Sequence, residues 1–454
     1  MKDSTGLSRR AFIKAGGGAV AASMVAGPLA LTTPLRPPGR AKMRVALVGT
    51  GIRGLGMWGQ PVAQGYADYV DYVGLCDINP GRLAFGKQYI GVDCPTFTDF
   101  DEMLRETEPD TVIVTTVDAT HHTFIVKALQ HGCDVVTEKP MTTDEVKCQA
   151  ILDAQALSRK NVTVTFNYRY SPHRQKLKEL LMAERVGRIT SVGFHWYLDV
   201  YHGADYFRRW HGKEQYGGTL FVHKATHHFD LLNWWLESEP ETVYASGSLE
   251  YYGHNNAFRH TNCRGCPHQQ QCKHYWDITQ SEFLMNLYVN NEHHDGYLRD
   301  GCVWSEEIDI YDKMAAQITY ANGVQVSYSC TTYSPYEGYR IAFNGTKGRI
   351  EAWVKERQPW EAEDYDEIRV TDNFGVTELI RIPHGGGGHG GGDTRLLDRV
   401  FVDPDMPDPY RQAAGSRDGA MSILIGIAAC KSVKTGEPIQ IAALTSLKPR
   451  AVRP

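Results

Sequence analysis

Hydrophobic positions follow two successive patterns along the chain, and the first of them begins at Met43. In this first pattern, short apolar runs lie at residues 44–48, 70–76, 111–117 and 133–136. A helical stretch at 123–130 separates the last two runs. Short strands that alternate with helices are typical of a parallel sheet with right-handed crossovers. We therefore predict an α/β domain with a parallel sheet over residues 43–165.

The second pattern begins after residue 165, where short turns replace most of the helices. Predicted strands cover residues 189–198, 242–251, 316–320, 324–330, 340–344, 349–353 and 367–370. Short turns such as Ala321-Asn322-Gly323 favour antiparallel pairing of the strands that they join. We predict an α+β domain with an open, mainly antiparallel sheet over residues 166–416. A closing helix and C-terminal tail follow over residues 417–454.

The first residues match an export signal. The heptapeptide SRRAFIK at 8–14 has the twin-arginine pattern and precedes an apolar run at 15–31, although a chance basic pair is the alternative. This run is short for a membrane span, so we expect no stable span once the signal is removed. We predict a signal over 1–33, a leader over 34–42 and a periplasmic or otherwise exported protein.

Length, charge and aromatic content indicate the number of domains and the class of ligand. A chain of 454 residues is expected to form two domains with appendages. Its formal net charge of −5 is spread without a long basic run, which argues against a nucleic-acid partner. Many aromatic residues lie beside His, Arg or Asp, as at 195–197 and 209–211. Such mixtures suit sugars, although core packing explains any single aromatic residue at least as well.

A glycine-rich turn, GTGIRG, follows the first predicted strand directly and has the spacing of a dinucleotide site. Gly49 would permit the tight turn, Gly51 the approach of backbone amides to pyrophosphate, and Gly54 close packing of helix and strand. Asp77 ends the second strand, where an acidic residue bonds the adenosine ribose. This favours NAD over NADP, although Arg82 could accommodate a 2′-phosphate.

Six further motifs resemble the Gfo/Idh/MocA family, which includes glucose-fructose oxidoreductase and inositol dehydrogenase. They are TVDATH at 116–121, TEKP at 137–140, NYRY at 167–170, Gly217-Gly218 with HKATHHFD at 223–230, GTKG at 345–348, and Asp418-Gly419. The resemblance covers nearly all of the mature chain and implies a Rossmann domain followed by a sugar-binding domain. The open sheet of that second domain is a candidate interface for a homo-oligomer.

The resemblance also assigns roles to single residues. Cofactor contacts are expected from Gly49, Gly51, Ile52, Arg53, Gly54, Asp77, Thr116, His121, Glu138, Lys139 and Asn167. Substrate contacts are expected from Arg169, Tyr170, Trp210, Lys224 and His389. Lys139 would lie near the nicotinamide C4 and the reacting carbinol, where a tuned cation assists alcohol oxidation.

The helix motif departs from the family pattern. Family members carry an aspartate followed four residues later by a histidine; here the histidine is His227, but His223 takes the aspartate position. His227 could still act as general base, with His223 as a further acid or base. No obvious carboxylate would raise the basicity of His227. Because the two imidazoles lie one helical turn apart, a metal pair and a polar surface face remain alternatives.

A glycine-rich run, HGGGGHGGGD, occupies residues 384–393. We interpret it as a loop whose backbone approaches the substrate closely, with a flexible spacer as the alternative. A His- and Gly-rich loop is also present in the NAD-dependent α-N-acetylgalactosaminidase branch of the family.

Closely spaced cysteines mark an insert predicted over residues 255–304. Cys263, Cys266 and Cys272 could wrap a tetrahedral ion, with Cys302 as the fourth ligand. Structural zinc is the favoured interpretation; disulfides and an iron–sulfur cluster are the alternatives.

Export and a dinucleotide site together constrain the chemistry. Because no free nicotinamide pool is expected outside the cytoplasm, the cofactor should be tightly bound and recycled in each turnover. We therefore expect an exported NAD(P)-dependent oxidoreductase of a sugar or glycoside. A redox-neutral NAD-dependent glycosidase and a non-catalytic nucleotide-bound protein are the alternatives.

Overall fold

The computed structural model describes residues 41–453, which form two sheets with helices packed on them. The predicted signal at 1–33, and the leader up to residue 40, lie outside the described residues. Between residues 41 and 453, no helix has the length and apolar character needed to cross a bilayer.

The first sheet is parallel throughout and has six strands in the order β3-β2-β1-β4-β5-β6. Its strands are β1 Met43–Val48, β2 Val70–Cys76, β3 Thr96–Phe97, β4 Thr111–Val114, β5 Asp134–Thr137 and β6 Val162–Val164. Its helices are Gln60–Gly65, Pro80–Ile90, Phe100–Thr107, His121–Gln130 and Glu145–Ser158, and a helical turn at Gly54–Gly59 runs into the first of them. This confirms the predicted parallel α/β fold. The pairing of β1 with β2 and β4 brings the glycine turn, Asp77 and Thr115 to one edge of the sheet.

The second sheet has nine strands in the order β14-β13-β12-β11-β7-β10-β9-β8-β15. They are β7 Ile189–Asp199, β8 Pro240–Ser248, β9 Lys313–Tyr320, β10 Gln325–Ser334, β11 Glu337–Gly345, β12 Gly348–Arg357, β13 Tyr365–Asp372, β14 Thr377–Pro383 and β15 Ile439–Gln440. Strands β7 and β10 pair in parallel, whereas the other neighbours are antiparallel. The prediction of a mainly antiparallel second sheet is thus confirmed.

Helices such as Ala225–Leu236 and Ser416–Thr435 pack on one face of this second sheet. The helices after the first sheet are Pro172–Met182, Val200–Arg208, Glu214–Gly217, Leu220–His223, Ala225–Leu236, Glu282–Leu287, Gly392–Leu397 and Ser416–Thr435, and short helical turns lie at Asn167–Tyr170, Trp210–Gly212, Ile278–Gln280, Val289–His294, Asp398–Val402 and Ile441–Ala443. A further short turn at Asp118–Thr120 lies in the first domain. Along β9 every second residue is buried, as expected for a sheet packed on one side only. Every residue of helix Ala225–Leu236 is buried, so its polar side chains lie inside the molecule.

The insert occupies residues 249–312, between β8 and β9. Although the insert connects two paired strands of the second sheet, its residues Ile278, Leu284 and Leu287 belong to the apolar cluster built around β1 and β2 of the first sheet. The insert therefore completes the core of a domain from which it is distant in sequence.

Candidate active site

The glycine turn after β1 leaves no room for side chains at two of its three glycines. Gly49 has a φ of +96°, and a Cβ there would lie 2.7 Å from the Thr115 carbonyl carbon. A Cβ at Gly54 would collide with the carbonyl oxygen of Gly49. At Gly51 a Cβ would meet only the Tyr288 hydroxyl, at 3.4 Å. The turn therefore fits a dinucleotide, whose pyrophosphate needs an exposed backbone at the second glycine.

Asp77 is held firmly at the end of β2. Its carboxylate accepts hydrogen bonds from the Thr50 backbone N–H at 2.7 Å and from the Asn79 N–H at 2.9 Å. The Arg82 guanidinium lies 3.3 Å away. The carboxylate thus stands at the carboxyl edge of the sheet, where an acidic side chain meets the adenosine ribose in this fold.

Glu138 fixes the loop after β5 to the start of the first helix. Its Oε1 accepts hydrogen bonds from Arg53 Nε at 2.6 Å and Trp58 Nε1 at 2.8 Å. The imidazole of His121 lies between the carbonyl oxygens of Pro140 and Thr116, at 2.8 and 3.1 Å. These contacts place the Lys139 side chain against the second domain.

Lys139, His223 and Asp118 form a row of hydrogen-bonded groups. Lys139 Nζ lies 3.5 Å from His223 Nε2 and 3.3 Å from the His223 carbonyl oxygen. His223 Nδ1 lies 2.5 Å from Asp118 Oδ2. The structure therefore supplies a carboxylate that the helix motif does not contain. It comes from the loop after β4 and contacts His223 rather than His227.

Burial sets the protonation of this row. Desolvation lowers the pKa of Lys139 to about 8, against the opposing influence of Asp118 and Glu138. Desolvation also raises the pKa of the Asp118 carboxyl well above its ordinary range. Desolvation, reinforced by Lys139, lowers the pKa of His223 well below its usual value. Because burial brings the pKa of Lys139 down to about 8, this amine can accept or release a proton near neutral pH.

A second group of polar side chains surrounds His227. Its ring stacks on Tyr168 with centroids 4.1 Å apart, and Lys224 Nζ donates to the Tyr168 hydroxyl at 3.3 Å. His227 Nδ1 is buried and finds no hydrogen-bond partner within residues 41–453. Desolvation, followed by the charge of Lys139, lowers the pKa of His227 well below its ordinary value. The buried positions of Lys224 and His227 rule out the surface-face interpretation of this helix.

The glycine-rich loop reaches the same region. Asn167 Nδ2 lies 2.6 Å from Asp393 Oδ1 and 2.9 Å from His389 Nδ1. The His389 ring lies 5.4 Å from that of Tyr168. A Cβ at Gly392 would collide with the carbonyl oxygen of Asn167. Close backbone approach, rather than a flexible spacer, explains the glycine at this end of the loop.

An aromatic wall closes the other side of His223. Trp210 stacks on His211 with ring centroids 3.5 Å apart, and His211 lies edge-on to His223 at 4.2 Å. Tyr206 lies 5.3 Å from His223. Asp118, Tyr206 and His211 were not predicted as site residues. Asp118 lies inside a recognised motif and His211 inside the aromatic group at 209–211, whereas Tyr206 belongs to no pattern.

Two residues predicted to border the substrate are used for packing instead. Arg169 is fully buried, and its Nε donates to Asp230 at 2.8 Å, with Asp418 3.4 Å from its Nη2. Tyr170 is packed in the apolar cluster of the first domain. Because the Arg169 charge is already paired inside the protein, it is not available to a ligand.

The structure does not support the zinc ion predicted at the cysteine cluster. Cys263, Cys266, Cys272 and Cys302 line one cavity of about 20 Å³. However, residues 41–453 contain no group of three or more His, Cys, Asp or Glu side chains arranged to hold a metal, and their cysteines are free. Arg208 donates to Cys263 Sγ at 3.1 Å, and burial raises the pKa of this thiol.

Family models match both halves of the chain. The NAD-binding Rossmann fold of the Gfo/Idh/MocA oxidoreductase family matches residues 43–168. The C-terminal alpha/beta domain of the same family matches residues 178–441. YteT of Bacillus subtilis (strain 168), a protein named as a candidate oxidoreductase, is 39% identical over 415 residues, covering 87% of this chain and 97% of YteT.

More distant relatives share parts of the sequence or the fold. An inositol 2-dehydrogenase of Salmonella typhimurium (strain LT2) is 23% identical over 205 residues, which cover 42% of this chain and 56% of that protein. The WlbA dehydrogenase of Bordetella pertussis, solved with NADH and UDP-GlcNAcA, aligns with a TM-score of 0.59 at 20% identity, covering 88% of this chain and 99% of that one. An oxidoreductase of Agrobacterium radiobacter, solved with NAD+, L-tartaric acid and magnesium, has a TM-score of 0.62 at 15% identity, covering 89% and 100%.

Proposed function

Because this chain belongs to the Gfo/Idh/MocA oxidoreductase family, we propose that it is an NAD-dependent oxidoreductase of a sugar or glycoside. The observation that carries the proposal is the buried row of Lys139, His223 and Asp118 beside the loop that Glu138 anchors. When bound, the nicotinamide exchanges a hydride with the carbon that bears the reacting hydroxyl.

The protein's own groups handle the proton. A neutral Lys139 takes the hydroxyl proton as the C–H bond breaks, and the ammonium that forms donates a hydrogen bond to His223 Nε2, 3.5 Å away. Asp118, at 2.5 Å from Nδ1, fixes the tautomer of His223 whose Nε2 accepts from Lys139. Asp118 is therefore a positioning residue. In the reverse direction the protonated Lys139 returns the proton to a carbonyl.

The walls of the site support a carbohydrate substrate. Trp210 offers an aromatic ring beside His223, while Lys224 and His389 provide polar groups near Tyr168 and His227. Rings of this kind stack on the C–H faces of sugars, and polar groups bind their hydroxyls. The inositol dehydrogenases and the nucleotide-sugar complex among the relatives support the same class of substrate.

A redox-neutral glycosidase is the second candidate, and the second basic centre favours it. Oxidation at C3 of a glycoside acidifies the C2 proton, and removal of that proton expels the aglycone before water adds and the hydride returns. This sequence needs a base separate from Lys139. His227 is buried against Tyr168, which accepts from Lys224, and none of residues 41–453 forms a hydrogen bond with its Nδ1.

One experiment separates the candidates. The purified protein is mixed with a panel of free sugars and aryl glycosides, and nicotinamide absorbance and released aglycone are both followed. In an oxidoreductase, a single sugar reduces the bound nicotinamide by up to one equivalent without releasing aglycone, and a second carbonyl compound then restores the oxidised absorbance. A redox-neutral glycosidase releases aglycone without lasting absorbance change and exchanges the C2 proton with deuterated water. A protein that does neither with any sugar is the non-catalytic alternative, and this proposal fails.

We also propose export through the twin-arginine pathway with NAD already bound, as a homo-oligomer. The signal motif SRRAFIK supports export. Replacing Arg9 and Arg10 by Lys should retain the protein in the cytoplasm on cell fractionation, because this pathway requires the arginine pair. Purified wild-type protein should keep NAD through gel filtration. Nicotinamide-free protein that works only with added NAD would overturn the bound-cofactor part.

A further inference from the structure

Residues 278–299 of the insert, here called the clasp, lie against the nucleotide end of the first domain. Ile278 and Leu287 are fully buried in the apolar cluster that contains β1. The Phe283 ring packs 5.0 Å from that of Tyr89, on helix Pro80–Ile90. Burial of these apolar side chains fixes the clasp on the first domain, so its polar side chains have defined positions.

Tyr288 of the clasp stands over the glycine turn. Its hydroxyl oxygen accepts the Ile52 backbone N–H at 2.9 Å. It is also the atom that a Cβ on Gly51 would meet, at 3.4 Å. After accepting from Ile52, the phenol still has its own proton to donate. A donor at the open side of the second glycine matches the place where pyrophosphate oxygens need partners.

Asp295 of the clasp controls the ribose end of the same site. Arg82 Nη2 lies 2.6 Å from Asp295 Oδ2 and 3.3 Å from Asp77 Oδ1. Asn79 Nδ2 donates to the Asn291 carbonyl at 2.9 Å, which adds a second bond between clasp and turn. Two carboxylates thus share one guanidinium. Arg82 is not free to bind a 2′-phosphate, and the net negative charge repels one.

The base of the clasp is tied to the cysteine-rich part of the insert. Arg264, between Cys263 and Cys266, bonds Glu292 at 2.6 Å and the buried Asp300 at 3.0 Å. The cysteine-rich part therefore supports the segment that faces the nucleotide.

We propose that the clasp completes the dinucleotide site, with Tyr288 binding the pyrophosphate and Asp295 selecting NAD against NADP. The inference rests on the proposed NAD dependence and gives a structural reason for tight cofactor retention. It assigns the insert a role in the first domain that its place in the sequence does not suggest.

Binding measurements on nicotinamide-free full-length protein test the proposal without reference to activity. Calorimetric titration with NAD should give a dissociation constant roughly tenfold higher for Tyr288→Phe, because a hydrogen bond to a charged group is lost. Asp295→Asn should improve NADP binding relative to NAD by roughly tenfold, since one like charge is removed. Thermal unfolding without NAD should stay near wild type for both variants.

Matched controls lie on the surface. Tyr244→Phe and Asp93→Asn change an exposed phenol and an exposed carboxylate and should leave both constants unaltered. Wild-type affinities for both clasp variants would overturn the inference, whatever the activity. If wild-type protein binds NAD only weakly, the proposal of tight cofactor retention fails. The ratios of the variants' dissociation constants to those of wild type still test the role of the clasp.

Discussion

The two ends of the site are built in different ways. At the nucleotide end, Gly49, Gly54 and Asp77 act through backbone geometry and bonds to near neighbours, and their positions follow from one β-α-β unit. At the reaction end, Lys139, His223 and Asp118 come from three separated segments and lose much of their hydration on folding. Cofactor binding at the nucleotide end thus depends on backbone shape, whereas turnover at the reaction end depends on buried ionisable groups. Substitutions should therefore affect cofactor binding at one end and turnover at the other.

Replacing Lys139 by Met should have the largest effect. Turnover should fall by roughly 10³-fold or more, because the group that accepts the substrate proton is lost. NAD affinity should change little, which steady-state kinetics combined with calorimetry would show. Lys178 provides a matched control, since it is also buried and its pKa is likewise lowered to about 8 by desolvation, but it bonds the Trp234 carbonyl and Glu237. Lys178→Met should retain turnover per folded molecule; equal losses in both variants would contradict the role of Lys139.

Asp118→Asn should reduce turnover by roughly 10²-fold while leaving the fold intact. The carboxylate raises the pKa of Lys139, so its removal should move the pH at which activity appears to a lower value. A purely structural role would lower activity without moving the pH profile. The measurement is kcat against pH for both proteins, with His223→Ala expected to reproduce the loss.

The wild-type pH dependence tests the buried row directly. If neutral Lys139 accepts the proton, sugar oxidation should rise tenfold per pH unit and level off above about 8, where the amine is deprotonated. Carbonyl reduction needs the protonated amine and should fall above the same pH. Profiles of kcat in both directions check this sign. An oxidation rate that declines as pH rises through 8 would assign the proton to another group.

The nucleotide end of the site could be predicted from the sequence more fully than the reaction end. GTGIRG and Asp77 lie within one β-α-β unit, so spacing alone places them at one sheet edge. The Asp118–His223 pair joins positions 105 residues apart, and no local pattern indicates that contact. Arg169 resembled a substrate contact, yet its charge meets Asp230 in the interior. Strands β3 and β15 escaped prediction because two residues carry no periodicity.

The smallest effect should come from Trp58→Phe, at the boundary between the two ends. This change removes the bond from Trp58 Nε1 to Glu138 and leaves Glu138 with Arg53 as its side-chain partner. Because both groups are buried, the free energy of unfolding should fall by about 1–3 kcal/mol, measured by urea denaturation. Exposed Trp353→Phe is the control and should cost less. Glu138 precedes Lys139 directly in the chain. The kcat of Trp58→Phe therefore shows how strongly the Trp58–Glu138 bond contributes to positioning Lys139. If kcat falls only a few fold, the bond from Arg53 to Glu138 is sufficient to hold the loop. A loss near that of Asp118→Asn means that the position of Lys139 depends on both bonds to Glu138.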